Sequence, residues 1–319
     1  HENAVTCEIT KAIQKGQNIV LRKYTVFADS IRFENPRMQA ETNLHRAVSM
    51  SVDELYSEQY QYLKKFWDEC ALEMEGDEEL DNALCYGQYQ LLQSVGKDPY
   101  CSISAKGLSG EGYEGHYFWD TEIYIIPFFT LTNPEIARNL LSYRYKTLPQ
   151  AKENANLLGH KKGALYPWRT IMGVECSGYY PSGTAQYHIN GDIAHAAAFY
   201  YSATADLGFL EREGAELLIE TARVWSALAN LYAGKFHLNS VTGPDEYTCM
   251  INDNYYTNVC AKHNLLWAVR AFKLLKEQGL ESAVMQRTGV TDEELLEFQN
   301  VADNMYLPYD KKFGINPQD

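Results

Sequence analysis

Helical periodicity over most of the chain is the feature that most limits its fold. From Asp81 onward, apolar residues recur at three- and four-residue spacing, and the intervening segments are rich in Gly, Pro, Ser and Asn. This pattern predicts about seven helices, at approximately 81–95, 119–131, 134–158, 190–207, 211–233, 254–278 and 292–305. Long paired helices with elaborate alternate loops are typical of an α/α toroid. About twice as many helices would close such a ring, so we predict a mainly α fold with an incomplete (α/α)6 toroid.

The N-terminal region carries a different pattern. Between Ala4 and Ser30, β-branched or aromatic residues alternate with polar ones on either side of Lys15-Gly16-Gln17, which predicts two strands and a turn. Two strands do not make a domain, and the chain begins without Met. We therefore expect this short N-terminal β-strand segment to be the end of a larger β-domain. A polar segment around Glu34 to Asn43 then leads into a helix predicted over Val52 to Met74.

Composition argues against several classes of protein. The chain has 319 residues, no apolar run near the roughly 20 residues that span a bilayer, and a polar start unlike a signal peptide. Its seven cysteines are scattered and form no CxxC pair, so we expect a cytoplasmic protein with neither a disulfide framework nor a zinc site. The net charge of −14 without a Lys/Arg cluster argues against nucleic acid as a partner.

The segment Val241-Thr-Gly-Pro-Asp-Glu-Tyr247 is the strongest candidate for chemistry. Its Gly-Pro turn presents Glu246 beside a second carboxylate, Asp245, and before the phenol of Tyr247. A neighbouring negative charge and an aromatic setting both disfavour an ionised carboxylate, so Glu246 is predicted to stay protonated near neutral pH and to act as a proton donor. The alternative is an acidic surface turn, because Gly-Pro-Asp is ordinary turn chemistry.

Aromatic residues are abundant, with 24 Tyr, 12 Phe and 5 Trp, which suits a ligand with apolar faces and a ring of hydroxyls, such as a sugar. The glycine-rich segment from Ser109 to Glu122 places two of the best candidates at the start of a predicted helix. Trp119 is able to cover the apolar face of a pyranose while Asp120 accepts hydrogen bonds from adjacent hydroxyls. The alternative is core packing by Trp119 and helix capping by Asp120.

The region from Gly163 to Cys176 supplies a second aromatic candidate with charges of both signs. Pro167 stiffens the backbone, so Trp168 and Arg169 are predicted to be held at the rim of the site, with Glu175 within reach. An ordinary surface loop in which Arg169 pairs with Glu175 is the alternative.

His188 opens the next predicted helix and is a weaker candidate for the same site. A lone histidine at that position is more often a hydrogen-bonding residue at a helix start than a catalyst. All of these segments adjoin long helices, where the alternate loops of a toroid converge on one end. Glu246 and Trp119 are far apart in the chain. Their meeting is therefore predicted from the expected fold and cannot be read from their spacing in the sequence.

Three of these segments together resemble the successive motifs of a known family. Phe118-Trp-Asp-Thr-Glu122, Tyr166-Pro-Trp-Arg169 and Val241-Thr-Gly-Pro-Asp-Glu-Tyr247 are similar, in this order, to the motifs of glycoside hydrolase family 65, which contains inverting disaccharide phosphorylases. The resemblance covers essentially the whole chain. Residues 1–45 resemble the last strands of the family's β-sandwich, 46–80 its helical linker, and 81–319 the first part of its (α/α)6 catalytic barrel.

The resemblance implies a role for several residues. Glu246 would be the general acid, Trp119 and Asp120 would bind the glucose at the cleavage point, and the loop 166–176 would help to select the leaving sugar. It also implies a homodimer that acts on a disaccharide and phosphate without a metal or organic cofactor. The loop 167–175 does not look like that of the maltose enzymes, which favours kojibiose, nigerose or a related α-glucoside.

The reaction class depends on the nucleophile. Inverting cleavage needs an acid on the leaving oxygen and a nucleophile on the opposite face of the ring, where a hydrolase keeps a second carboxylate to activate water. Phosphate needs no such base, so a phosphorylase would convert an α-glucoside into β-glucose 1-phosphate. The family's phosphate site and its Lys-Gln sugar contact would follow Asp319, which leaves two alternatives open: an acid trehalase-like hydrolase and a catalytically dead carbohydrate-binding fragment.

Overall fold

The computed structural model describes residues 6–108 and 110–319. In this part of the chain the fold is mainly α, as the sequence predicts, with one sheet of two short strands. The chain forms two compact units, His1–Lys65 and Phe66–Asp319. Every helix among the described residues is too short or too polar to cross a lipid bilayer.

Helices account for most of the regular structure. The α-helices of the described residues are, in chain order, α1 (Pro36–Ser49), α2 (Val52–Cys70), α3 (Glu78–Ser94), α4 (Ile126–Thr132), α5 (Pro134–Lys146), α6 (Leu148–Leu157), α7 (Pro181–Thr184), α8 (His188–Thr204), α9 (Leu207–Phe209), α10 (Ala215–Leu228), α11 (Tyr255–Glu277), α12 (Glu281–Thr288) and α13 (Asp292–Asp303). π-Helical turns at Thr121–Ile125 and Leu210–Gly214 precede α4 and α10, and a 3-10 turn lies at Gly112–Gly115. The strands are β1 (Asn230–Tyr232) and β2 (Lys235–His237).

The two strands predicted near the N-terminus are wrong for residues 6–30, where the structure has no strand. The predicted turn is present, with Gly16 at a φ of +89°. The apolar side chains on its far side are exposed, Val20 at 77% and Phe27 at 90%. A strand needs a partner for its backbone groups and a surface on which to bury one face, so alternation alone does not form a sheet. Ala4 and Val5 lie outside the described residues, and the domain limits at 45 and 80 stay a prediction.

The sequence signal for α1 was present but was missed. Asn35 caps the helix, since its side-chain oxygen accepts a hydrogen bond from the amide of Met38 at 3.0 Å, and Pro36 occupies the first helical turn. The polar composition indicated only a segment before the next helix, yet the cap and the proline are standard signs of a helix start.

The second unit is organised around α11, a helix of 23 residues. This helix packs against α8, α10 and α13. Two polar contacts hold α10 on α11: Trp225 Nε1 donates to Asn264 Oδ1 at 2.9 Å, and Asn264 Nδ2 donates to the Leu218 carbonyl at 3.1 Å. These three residues are buried, so the contacts fix the register of α10 on α11. The packing places the N-terminal ends of α8 and α11 side by side.

Two predicted helices end earlier than expected. The helix predicted over 134–158 is divided into α5 and α6 at Thr147, because Pro149 supplies no backbone N–H and its ring clashes with the carbonyl four residues earlier in a continuous helix. The helix predicted over 211–233 stops at Leu228, and β1 pairs with β2 around Ala233 and Gly234. Both turn residues have positive φ, +48° and +77°, as a tight hairpin turn requires.

Close contact between α8 and α11 leads to a stability prediction. A Cβ built on Gly191 would lie 2.3 Å from the Cβ of Cys260 and 3.0 Å from that residue's Cα and carbonyl carbon. Gly191→Ala is therefore expected to push the two helices apart and to lower the free energy of unfolding by about 1–3 kcal/mol. Urea denaturation measures the difference.

The matched control is Gly87→Ala on the exposed face of α3, where an added Cβ meets no atom within 4 Å. This change is expected to stabilise the protein by about 0.5–1 kcal/mol, because alanine restricts the unfolded chain more than glycine does. Equal effects at the two positions would show that helix packing at Gly191 is not tight.

Candidate active site

The loop that carries Glu246 is fastened to the segment before α8. Val241 exchanges two backbone hydrogen bonds with Ile251, both 2.9 Å, which closes the base of the loop. The Thr242 amide donates to the carbonyl of Ala185 at 2.9 Å. Val241, Thr242 and Gly243 are buried, so the loop leaves the protein interior at a fixed point and presents the residues after Pro244 outward.

Glu246 is exposed, and its contacts join it to the same segment. Gln186 Nε2 donates to Glu246 Oε1 at 3.0 Å. The Tyr180 hydroxyl donates to the Glu246 backbone carbonyl at 3.1 Å. One carboxylate oxygen is therefore engaged by a buried amide, while the side chain as a whole stays open to solvent or to a ligand.

The neighbours of Glu246 do not provide the surroundings that the sequence suggested. The Asp245 carboxylate stabilises its own turn, since it accepts from the Tyr247 amide at 3.2 Å and from the Thr248 hydroxyl at 3.3 Å. Tyr247 is 99% exposed, so its ring does not enclose Glu246. The expected aromatic setting is therefore wrong as far as Tyr247 is concerned.

Behind Gln186 lies a buried chain of polar side chains. His188 Nε2 is 3.1 Å from Gln186 Oε1, and His188 Nδ1 is 2.7 Å from Asp192 Oδ2. The Tyr256 hydroxyl donates to Asp192 Oδ1 at 2.6 Å. Burial, the Cys260 thiol and the Asp192 carboxylate all raise the pKa of Tyr256, so this phenol keeps its proton. His188 and Asp192 are fully buried. The hydrogen-bonded side chains connect α11 to α8 and to the loop of Glu246.

Trp119 lies against this chain. Its ring centre is 5.0 Å from that of His188 in an edge-to-face arrangement and 6.4 Å from that of Tyr256. Trp119 and Glu246 are thus connected through two residues, with His188 touching Trp119 and Gln186 touching Glu246. Trp119 is only half-buried, which leaves part of its indole available to a ligand.

Asp120 is exposed and lines a cavity of about 510 Å³. Tyr124 connects this cavity to the tryptophan, since it lines the cavity and its ring centre is 6.0 Å from that of Trp119. The Asp120 side chain makes no capping hydrogen bond at the π-helical turn that follows it, so the predicted capping alternative is wrong. The carboxylate therefore faces a space of the size that small ligands occupy.

A buried ion pair supports the Trp119–Asp120 segment from below. Arg144 Nε and Nη2 donate to the two carboxylate oxygens of Glu122 at 2.7 and 2.8 Å, and each side chain is 1% exposed. Burial raises the pKa of the Glu122 carboxyl while the Arg144 guanidinium lowers it. The two parallel short contacts have the geometry of a charge-assisted pair. Both members are buried, so removal of one of them would leave an unpaired charge in the interior and destabilise the segment.

Trp168 is buried at 8% exposure rather than held at a rim, so this part of the prediction is wrong. It belongs to an apolar cluster and packs edge-to-face on Phe118 and Tyr180, each with ring centres 5.3 Å apart. Since Tyr180 donates to the Glu246 backbone, Trp168 supports the acid loop from the interior. An indole with apolar neighbours on both sides gains more from burial than from exposure.

Arg169 and Glu175 do not pair with each other, so the predicted surface ion pair is wrong. Arg169 Nη2 lies 2.9 Å from Glu114 Oε2, and Arg169 also donates to the Tyr179 hydroxyl. Glu175 accepts from the amide of Trp168 at 2.8 Å and from that of Arg169 at 3.3 Å. Glu175 therefore shapes its own loop, while Arg169 joins that loop to the glycine-rich segment before Trp119.

Sequence reasoning missed Gln186, Asp192 and Tyr256. The four-residue spacing of His188 and Asp192 on one helix face was a usable signal, because residues i and i+4 of a helix are neighbours. No local pattern marks Gln186 or Tyr256, whose roles depend on helix packing. The described residues hold no group of three or more His, Cys, Asp or Glu that suits a metal ion.

Comparisons with known proteins identify the family of the chain. A family model described as "Glycosyl hydrolase family 65 central catalytic domain" matches residues 85–319. An α,α-trehalose phosphorylase of Geobacillus stearothermophilus is 47% identical over an alignment of 321 positions, which covers 100% of this chain and 42% of the relative. A kojibiose phosphorylase of Caldanaerobacter subterraneus subsp. tengcongensis is 37% identical over an alignment of 317 positions, which covers 93% of this chain and 41% of the relative.

A solved structure titled "Putative kojibiose phosphorylase from human microbiome" superposes with a TM-score of 0.79 at 29% identity, over 89% of this chain and 38% of that one. This chain thus spans less than half the length of each of these relatives. The family match covers the segments that carry Trp119, the buried polar chain and Glu246, and it confirms the assignment made from the sequence motifs. The chain belongs to glycoside hydrolase family 65.

Proposed function

We propose that the enzyme to which this chain belongs carries out inverting phosphorolysis of an α-linked glucosyl disaccharide, with Glu246 as the general acid. The observation that carries the proposal is the placement of Glu246: a carboxyl open to a ligand, held on one oxygen by a buried amide, at one end of a cluster whose other end is Trp119. An acid needs access to the leaving oxygen and a fixed orientation, and this arrangement supplies both.

The proposed reaction balances with one acid and one phosphate. Glu246 gives its proton to the glycosidic oxygen as the bond from that oxygen to C1 of glucose breaks. A phosphate oxygen forms a bond to C1 from the opposite face, so the α-glucoside becomes β-glucose 1-phosphate and the second sugar leaves with the proton. No step requires a metal ion, an organic cofactor or a second protein carboxylate.

The substrate contacts follow from the placement of the aromatic and acidic residues. We propose that the indole of Trp119 lies on the apolar face of the glucosyl ring and that Asp120 accepts hydrogen bonds from its hydroxyls. Trp168, Arg169 and Glu175 act on the substrate indirectly, by shaping the loop wall. His188 acts from below, through Gln186.

The names of the relatives guide the choice of disaccharide. The loop 167–175 favoured kojibiose or nigerose, whereas the higher identity belongs to an α,α-trehalose phosphorylase, at 47% against 37% for a kojibiose phosphorylase. We therefore propose α,α-trehalose as the first substrate to test, followed by kojibiose and nigerose. All three are α-glucosides, so the same acid and the same inversion serve each of them.

The test is consumption of these disaccharides by the complete gene product, with and without inorganic phosphate. The proposal predicts turnover only with phosphate, and ³¹P and ¹H nuclear magnetic resonance (NMR) spectra that show β-glucose 1-phosphate as the first product. Glucose release that does not depend on phosphate would identify a hydrolase instead. Sugar binding without turnover under either condition would identify a binding protein.

A further inference from the structure

The buried amide of Gln186 lies between two groups that exchange protons. Gln186 is 2% exposed, its Nε2 is 3.0 Å from Glu246 Oε1, and its Oε1 is 3.1 Å from His188 Nε2. An amide has one donating end and one accepting end, and it cannot offer the same kind of end to both partners. The orientation of this amide is therefore tied to the hydrogens on Glu246 and His188.

His188 Nδ1, the ring nitrogen that does not face Gln186, acts as a hydrogen-bond donor. Tyr256 donates to Asp192 Oδ1, which leaves Asp192 Oδ2 as an acceptor for the hydrogen on His188 Nδ1. His188 Nε2 is then the ring atom whose hydrogen-bond role depends on Gln186. Where Gln186 Oε1 faces it, a hydrogen on Nε2 satisfies both atoms, and His188 then carries a hydrogen on each ring nitrogen.

The other ionisable groups that face this chain do not compete for the proton near neutral pH. Burial is the largest cause that raises the pKa of Tyr256 and of Cys260, both on α11, so these two groups stay neutral. Burial and the Glu246 carboxylate raise the pKa of Tyr180, which faces the acid loop. Glu122, which lies near Asp192, is paired with Arg144. Glu246 and His188 remain as the two groups that contact the Gln186 amide directly.

We propose that Gln186 couples Glu246 and His188 so that the two groups share one proton, which rests on His188 in the free enzyme and on Glu246 when a sugar covers the site. In the first arrangement, Gln186 Nε2 donates to a Glu246 carboxylate and Gln186 Oε1 accepts from the His188 imidazolium. In the second, the amide is reversed, Glu246 is a carboxylic acid that donates to Gln186 Oε1, and Gln186 Nε2 donates to neutral His188. Both arrangements contain the same number of protons, and the proton exchanges through solvent.

Loss of the shared proton is disfavoured by the amide. A Glu246 carboxylate and the unprotonated Nε2 of a neutral His188 are both hydrogen-bond acceptors. The Gln186 oxygen then faces one of these acceptors, and a buried polar group is left unsatisfied. His188 therefore keeps the pair supplied with a proton as the pH rises. This role of Gln186 and His188 as positioning residues rests on the proposed function of Glu246, and it explains how an exposed carboxyl would be a proton donor near neutral pH.

The test is an NMR titration of the His188 ring in the complete gene product, in four forms: the unchanged protein, E246Q, Q186M and the double variant. A glutamine at 246 satisfies Gln186 in either orientation, so in E246Q the pH at which His188 titrates is expected to fall by about one pH unit. In the Q186M background, E246Q is expected to have a much smaller effect. Glu246 is exposed, so E246Q on its own keeps the fold.

Gln88→Met is the matched control, because Gln88 is a buried glutamine on α3 whose side chain bonds to the backbone of Leu72. It is expected to leave the His188 titration unchanged. An equal effect of E246Q in both backgrounds would show that charge through space, and not the amide, couples the two groups. No effect in either background would overturn the coupling altogether.

The rate gives a second readout. Without the coupling, Glu246 loses its proton at lower pH, so Q186M is expected to move the alkaline limb of kcat/KM down by about one pH unit. An unmoved limb with normal turnover would overturn this inference while leaving the proposed function intact. Failure of phosphate-dependent turnover in the unchanged protein would overturn the proposed function, and the His188 titration would still decide the coupling.

Discussion

Glu246→Gln is expected to lower kcat for disaccharide phosphorolysis by about 10²–10⁴-fold, because a glutamine keeps the shape of the side chain and removes the proton that the leaving oxygen needs. The exposed carboxyl makes one side-chain hydrogen bond, to Gln186, and a glutamine oxygen preserves it. KM is expected to change little. Steady-state kinetics with saturating phosphate measure both quantities.

Glu153→Gln is the control for this result. Glu153 is an exposed glutamate on α6, so the same chemical change is made away from the site. It is expected to leave kcat and the stability unchanged. A Glu246→Gln enzyme with the kcat of the Glu153→Gln enzyme would exclude Glu246 as the acid.

Arg144→Met is expected to lower the free energy of unfolding by about 3–5 kcal/mol, because it leaves the Glu122 carboxylate buried without a partner. Each side chain of this pair is 1% exposed, and their two contacts are 2.7 and 2.8 Å. Arg144 Nη2 also reaches the carbonyl of Phe118 at 3.5 Å, one residue before Trp119. Urea denaturation measures the loss of stability, and sugar binding by the folded fraction is expected to weaken.

Two further variants test whether burial, and not a short contact distance, makes the loss of an ion-pair partner costly for stability. The double replacement Glu122→Leu and Arg144→Met removes both charges, so most of the stability is expected to return. Arg46→Met breaks an ion pair with Glu58 at 2.6 Å whose side chains are 66% and 52% exposed. That change is expected to cost at most about 1 kcal/mol. A similar loss for Arg46→Met and Arg144→Met would contradict the role assigned to burial.

Local patterns predicted most of the helices because capping residues and apolar spacing act over a few residues. Asn133 and Pro134 begin α5, and Thr291 caps α13, as such residues do in isolated helices. The errors occurred where one residue overrides the pattern or where a partner is required. Pro149 divides a continuous apolar stripe, and the alternating residues 6–30 pair with no strand in the part of the chain that the structure describes.

The candidate site was predicted only in part, because its chemistry depends on contacts between distant segments. Glu246 and Trp119 were found from residue type and neighbouring turns. The residues that connect them were not, since a glutamine such as Gln186 has no preferred pattern and acquires its role from the two side chains that it meets. Trp168 was misplaced because an indole beside a proline suits a binding rim as well as it suits a core.

The leaving group provides the most direct test of Glu246 as the proton donor. Fluoride departs from α-glucosyl fluoride with little need for a proton, so an enzyme without its acid still transfers this glucosyl group to phosphate. The measurement is kcat of Glu246→Gln relative to the unchanged enzyme on the disaccharide and on α-glucosyl fluoride, each with phosphate. The account predicts a loss of about 10²–10⁴-fold on the disaccharide and less than about tenfold on the fluoride. Equal losses on the two substrates would contradict it.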